Sequence, residues 1–94
     1  MNAGIVILQD GTPCIAHDEV LPFPIRHVEF SREDFLVTLV YETPDKSRQE
    51  RRLEFPLDHP FVKLLEENPV VAVARVKKGQ LLEIKMYSVI FPPA

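Results

Sequence analysis

The chain is divided into short apolar runs by prolines and polar turns. Its nine prolines lie between the apolar runs, which favours strands and turns over long helices. Asp10-Gly11 is a strong hairpin signal, and Gly79 suits a turn that needs a positive φ. The pattern predicts strands over residues 4–9, 13–17, 25–30, 35–41, 48–57, 70–76 and 81–91.

Two of these strands are apolar on both faces, and one has a charged face. Residues 35–41 and 70–76 carry almost no charge, which indicates strands inside a sheet with both faces covered. Residues 48–57 instead alternate charged and apolar positions, as expected where one face meets water. We therefore expect 35–41 and 70–76 to be central strands.

Over residues 59–67, the apolar residues are spaced three or four positions apart, as in a helix, and no longer at every second position, as in a strand. Asp58 or His59 suits an N-cap, and Pro69 stops the helix because proline disfavours the α conformation in the residue before it. A two-turn helix is marginal alone, so it must pack on the sheet. The apolar residues that share one helical face are Phe61, Leu64 and Leu65.

Together the elements predict one mainly β (α+β) domain over residues 1–94. We expect a small, strongly bent antiparallel sheet or open barrel of five to seven strands with one short helix, 59–67. Residues 1–24 form an N-terminal hairpin and loop, and residues 25–94 form the sheet or barrel. Five sharply connected strands from residue 25 onward fit a small barrel of the SH3 or Sm type, as an analogy of fold alone. The glycine and Asp/Asn signature of Sm ring proteins is absent.

Composition narrows the class of protein. The chain has 94 residues, is 46% hydrophobic and 27% charged, and has a formal net charge of -3, which excludes a disordered tail, a collagen-like chain and a membrane span. The charge is uneven: residues 1–47 hold three basic and eight acidic side chains, whereas residues 48–94 hold eight and six. The second half is therefore the place to look for a basic patch.

The basic residues of that half form two groups, which join into one patch if their hairpins adjoin. Such a patch, with Phe30, Tyr41 and Tyr87 for base stacking, predicts binding of single-stranded nucleic acid. The alternative is that the acidic residues between them make cross-strand ion pairs. The candidate nucleic-acid-binding residues are Arg48, Arg51, Arg52, Arg75, Lys77 and Lys78.

Metal and catalytic sites have weak sequence support. The histidines His17, His27 and His59 lack the spacing of a metal motif, although His27 and Glu29 share a strand face. Cys14 is expected to be a small buried residue, because a strand places His17 on the opposite face. Asp18 and Glu19 complete the acidic residues near these histidines. We expect no metal site, no cofactor and no enzymatic activity.

The number of apolar positions exceeds what one short helix can cover. We therefore expect a self-associating, non-catalytic interaction or assembly module, with a second copy or another protein as partner. The alternatives are that the N-terminal hairpin covers the apolar face, and that the chain is an oligomeric Sm-like barrel binding nucleic acid. With a single cysteine and no signal or membrane segment, we expect a cytoplasmic protein.

Overall fold

The computed structural model describes residues 3–54 and 59–92, and of His59 it describes the backbone alone. These residues form seven strands and one helix. The elements are β1 (Ala3–Ile7), β2 (Pro13–His17), β3 (Ile25–Ser31), β4 (Leu36–Glu42), β5 (Arg48–Glu54), α1 (His59–Glu67), β6 (Val70–Lys77) and β7 (Gln80–Ile90).

The predicted fold class is confirmed: a curled, seven-stranded half-barrel carries one short helix. The strand order is β1-β2-β6-β7-β3-β4-β5. The expectation of an antiparallel sheet was wrong in one respect: the sheet is mixed, because β2 pairs parallel with β6 and β3 pairs parallel with β7. The cause is the position of the β6–β7 hairpin, which inserts between β2 and β3. Sequential hairpin connections alone would have kept the sheet antiparallel.

The two halves of the sheet meet at a short junction between β7 and β3. This pairing consists of Val28 with Val89 and Glu29 with Ile90. Before Val89, β7 pairs only with β6 among the residues that the structure describes. The sheet therefore splits toward the N-terminal end of β3.

The core fills the concave inner face of the half-barrel. Phe30 and Leu39 are almost completely buried there, and α1 contributes Phe61 and Leu65. Phe30 packs edge-on against Phe91, with ring centroids 5.9 Å apart. An ion pair of 3.2 Å between Arg32 and Glu66 joins the end of β3 to the helix. The remaining buried members of this core are Ile15, Val28, Val37, Leu53, Val71, Val73 and Val89.

Most predicted element boundaries agree with the structure. The helix runs from His59 to Glu67, and β4 and β6 are central strands, as expected. The strand predicted over 48–57 is described as far as Glu54, and its last three predicted residues, 55–57, lie outside the described residues. The two candidate N-caps also lie outside them, because neither Asp58 nor the side chain of His59 is described.

Two expectations at strand ends and edges need correction. Phe35 precedes β4 instead of beginning it, because it adopts a positive φ of 53° in the β3–β4 turn and is 40% exposed. The N-terminal hairpin does not lie over the sheet as a covering layer, although Leu8 in its turn packs against Ala72 and Ala74. Because β2 hydrogen-bonds to β6, the hairpin extends the sheet in its own plane. Gly79 has a φ of 77°, as the turn chemistry predicts.

In the described part of the chain, α1 is too short and too polar to cross a membrane.

The core assignment predicts the effect of truncating Leu39, which is 0% exposed. We expect Leu39→Ala to lower the free energy of unfolding by about 2–5 kcal/mol, because it removes buried methyl groups and leaves a cavity. Urea denaturation followed by circular dichroism measures this change. Val20→Ala is the control, since Val20 is 77% exposed and its truncation should change the unfolding midpoint little. Equal midpoints for the two variants would contradict this assignment of the core.

Candidate functional site

A cleft forms where the chain crosses one end of the half-barrel. β2 is second and β3 fifth in the strand order, so residues 18–24 must pass over β6 and β7 to connect them. We call residues 18–24 the crossover segment. Pro22 and Pro24 restrict its backbone. The ring of Phe23 lies 6.1 Å from that of Tyr41, which fastens the segment to β4.

The cleft lies between the crossover segment and the inner faces of β6 and β7, at the place where β7 and β3 diverge. Its volume is about 300 Å³, which is near the lower limit for small-molecule sites. We call it the crossover cleft. Its lining residues are His17, Glu19, Val20, Leu21, Pro22, Phe23, Pro24, Ile25, Val73, Arg75, Glu83, Lys85 and Tyr87.

Strand register brings the polar lining residues together. His17 pairs with Arg75 across the parallel β2–β6 ladder, and Arg75 pairs with Glu83 across the β6–β7 hairpin. Directly paired residues extend from the same face of a sheet, so these three side chains all face the concave side. Lys85 lies two residues further along β7, on the same face.

His17 is the most buried polar residue of the cleft, with 5% of its surface exposed. The backbone N–H of Glu19 donates to its Nδ1 at 3.1 Å. Burial lowers the pKa of His17 from its usual value of 6.5, and the Arg75 charge adds to this against the opposing carboxylates of Glu19, Asp18 and Glu83. The neutral ring, with its proton on Nε2, is therefore favoured at neutral pH.

The charges of the crossover cleft are unequally paired. Glu19 forms an ion pair with Arg51, which reaches the segment from β5. Lys85 Nζ and Glu83 Oε1 are 3.9 Å apart, at the outer limit of an ion pair. Within residues 3–54 and 59–92, the guanidinium of Arg75 has no ion-pair partner. Burial, and then the charge of Glu83, raise the pKa of Tyr87, so its hydroxyl stays protonated.

The predicted nucleic-acid-binding residues lie on separated strands and on both faces of the sheet, although Arg51 and Arg75 both adjoin the crossover cleft, Arg51 through its ion pair with Glu19. Three strands separate β5, which carries Arg48, Arg51 and Arg52, from β6, which carries Arg75 and Lys77. The two groups therefore do not adjoin in the sheet. Lys77 and Lys78 lie at the β6–β7 turn, and Lys78 borders a shallow depression beside β1.

The neighbours of these basic residues also differ. Arg48 forms ion pairs with Glu29 and Glu50 on the outer face. Arg51 lies on the inner face, opposite Leu39, whereas Arg52 lies on the outer face, opposite Thr38. Of the aromatic residues expected to stack on bases, Phe30 is buried in the core at 1% exposure. Tyr41 is buried, and Tyr87 lines the crossover cleft.

His27 and Glu29 do share a strand face, but they bind each other. Nε2 of His27 lies 2.8 Å from Oε2 of Glu29, which also pairs with Arg48. Burial opposes ionisation of Glu29, but the hydrogen bond from His27 and the charge of Arg48 outweigh it and lower its pKa. In the described ranges, no three His, Cys, Asp or Glu side chains cluster as metal ligands.

Cys14 is buried, as expected, at 1% exposure. It pairs with Ala72 on the face opposite to His17, so these two residues form no catalytic pair. Burial raises the pKa of the thiol, which disfavours the reactive thiolate.

The convex outer face of β7 is apolar. Leu82, Ile84, Met86 and Ile90 occupy four of the five alternate positions from 82 to 90, with Ser88 at the fifth, and are 44%, 43%, 52% and 45% exposed. We call these four side chains the apolar row. Beside it lie Cys14, Ala72 and Ala74, which form a second, small buried cluster packed against Leu8 and Val76.

The crossover cleft is the part of the molecule that sequence analysis missed. The sequence predicts other roles for His17, Arg75 and Tyr87, and nothing in the spacing of these three residues and Glu83 links them. Their proximity depends on β2 pairing with β6, a parallel contact between residues 58 positions apart, such as His17 with Arg75. The one local signal is the pair of prolines around Phe23, which marks a constrained connection.

Comparison with known proteins found no matching family model, no matching curated protein and no matching solved structure.

The lowered pKa of His17 predicts a pH-dependent loss of stability. Below about pH 6.5, His17 binds a proton more readily in the unfolded chain than in the folded protein. The free energy of unfolding is therefore unaffected by His17 above that pH, and it falls as the pH is lowered toward the folded pKa of His17. We expect His17→Asn to flatten this dependence, since its amide oxygen can still accept the Glu19 N–H without titrating. Urea midpoints between about pH 7 and pH 5.5 measure the effect. Parallel curves for the two proteins would show that His17 does not titrate differently on folding.

Burial of Cys14 predicts slow thiol labelling. We expect Ellman's reagent to react with native Cys14 roughly a hundredfold more slowly than with the chain unfolded in guanidinium, because attack requires local opening. The absorbance of the released thiolate measures both rates. Native labelling as fast as unfolded labelling would place the thiol at the surface.

Proposed function

We propose that this domain is a non-catalytic, self-associating interaction module in which two copies pack through the apolar row. The observation that carries the proposal is the exposure of Leu82, Ile84, Met86 and Ile90 on one face of one strand. Single exposed apolar side chains are ordinary on monomers, whereas three successive apolar positions on one face of one strand, with a fourth beyond Ser88, indicate an interaction surface.

The surface beside the row is also apolar. Ala72 and Ala74 pair with Met86 and Ile84 across the β6–β7 ladder. These alanines are 0% and 4% exposed, and Leu8 and Val76 pack against their cluster, so apolar side chains border the row on the β6 side. A partner packed on the row would therefore meet no charged group on that side.

The shape of the molecule leaves this face of the sheet without a covering layer. The half-barrel is only 22 Å thick along its shortest axis, and α1 packs its Phe61 and Leu65 into the core on the inner face.

A second copy of the chain is the partner that this surface fits best. The outer face of β7 from residue 82 to residue 90 carries no charge at alternate positions, so two copies related by a twofold axis bury no unpaired ion. The edge strand β5, by contrast, is protected by charged residues. The proposed location is the cytoplasm, where a lone thiol stays reduced.

Nucleic-acid binding has less support as a function. The candidate basic residues lie on two faces and on separated strands, and Arg48 and Arg51 already pair with carboxylates. A salt-dependent affinity for labelled single-stranded RNA that is lost in Arg51→Glu with Lys78→Glu would favour the barrel alternative.

Self-association is tested with Ile84→Glu. We expect the native chain to be a dimer by size-exclusion chromatography with light scattering at two concentrations. The variant should be monomeric, with the dimer dissociation constant raised about a hundredfold or more, because each copy places an unpaired charge in the interface.

The matched control is Val20→Glu, which makes the same kind of change at a site 77% exposed on the inner side of the sheet. It should leave the dimer intact. A native chain that is monomeric at both concentrations, or an Ile84→Glu variant as dimeric as the control, contradicts the proposal.

A further inference from the structure

We propose that the crossover cleft binds a small organic oxyanion: a carboxylate or phosphate monoester with a compact apolar body. The oxyanion would pair with Arg75 and Lys85, and the apolar body would lie against the crossover segment. This inference is independent of self-association, because the cleft opens on the inner face and the apolar row lies on the outer face.

Charge decides the sign of the ligand. Once Glu19 is neutralised by Arg51, the charged lining side chains that remain are Arg75, Lys85 and Glu83. Two cations therefore face one carboxylate. That carboxylate is 3.9 Å from Lys85 and leaves Arg75 without an ion-pair partner in the described part of the chain. A guanidinium in this position offers a planar fork that matches an oxyanion.

Two neutral donors supplement the cations. Nδ1 of His17 accepts the N–H of Glu19, so the neutral ring carries its proton on Nε2 and can donate it. Tyr87 also lines the cleft, and the raised pKa of its hydroxyl keeps that group a donor. A site with two cations and two neutral donors is suited to an acceptor-only ligand group.

The opposite side of the cleft is apolar and restrained. Leu21, Phe23 and Ile25 come from the crossover segment and the start of β3, and Val73 comes from β6. Phe23 is fixed against Tyr41, and the Glu19–Arg51 ion pair anchors the other end of the segment to β5. The cleft is therefore formed before a ligand arrives, which reduces the entropy lost on binding. Its volume of about 300 Å³ limits the ligand to a small molecule.

The test uses the full chain with benzoate, phenyl phosphate and benzylamine as probes, each added up to about 10 mM while ¹H–¹⁵N NMR spectra are recorded. We expect benzoate or phenyl phosphate to shift the amides of residues 17–25, 73–75 and 83–87. The better of the two identifies the head group. Benzylamine has the same ring but the opposite charge, and it should bind at least tenfold more weakly.

Arg75→Gln should weaken binding of the anionic probe by about tenfold or more, because it removes a charge-assisted hydrogen bond. Arg52→Gln is the matched control, since it removes the same charge from the outer face of β5. It should leave the affinity within about twofold.

Glu83→Gln distinguishes an effect on the binding site from a loss of the fold. Removing the one remaining carboxylate should tighten binding of the anion by about two- to fivefold, a gain that a damaged fold cannot produce. The proposal is overturned by any of three results: no cleft shifts with either anion, benzylamine binding as tightly as the anions, or equal losses in Arg75→Gln and Arg52→Gln.

Discussion

The fold depends on a junction of only two residue pairs, which joins the two halves of the curved sheet. Val28 with Val89 and Glu29 with Ile90 join β3 to β7, and backbone pairing this short cannot fix the curvature alone. The concave core supplies the rest. Val28 and Val89 both belong to it, and Phe30, next along β3, packs on Phe91 just after β7. Burial of apolar area is the dominant favourable term in folding, so the junction is held by what lies beneath it.

The same junction explains the cleft. β3 and β7 meet only near the end of β7, so they diverge at the end where β3 begins, and the crossover segment covers that opening. The inner face is thus divided along its length. One end holds α1 and a dry core, and the other holds polar side chains that include His17 and Arg75. Buried polar groups require partners, and Glu19 supplies one to His17 through its backbone and one to Arg51 through its carboxylate.

The outer face of the sheet carries charged side chains on β3 and β5 and mainly apolar side chains on β7. On β3 and β5, charged residues such as Glu29 and Arg48 pair with each other, so this side is satisfied without a partner. On β7, the outward positions other than Ser88 carry apolar side chains that remain exposed, from Leu82 to Ile90. The two proposed functions therefore use different surfaces, an apolar face for a second copy and a polar cleft for a small anion. Occupation of one leaves the other accessible.

The sequence by itself determined the elements, because their signals are local. A change of period marks α1 at its observed bounds, and two-sided apolar runs identify β4 and β6 as central strands. The sequence also placed Cys14 and His17 on opposite faces of β2, because successive side chains of a strand point to opposite faces. The sequence also predicted the apolar surplus, although not which face would carry it.

Only the tertiary structure decided the pairing order, the direction of the strands and the crossover cleft. The insertion of the β6–β7 hairpin between β2 and β3 is a contact between distant segments, and no local pattern encodes it. It separates Arg51 and Arg52 from Lys77 and places His17 beside Arg75. The positive φ of Phe35 also depends on the turn that the two strands require, since side-chain hydrophobicity alone had assigned this residue to the strand. Long-range packing chose among pairings that the local signals left equal.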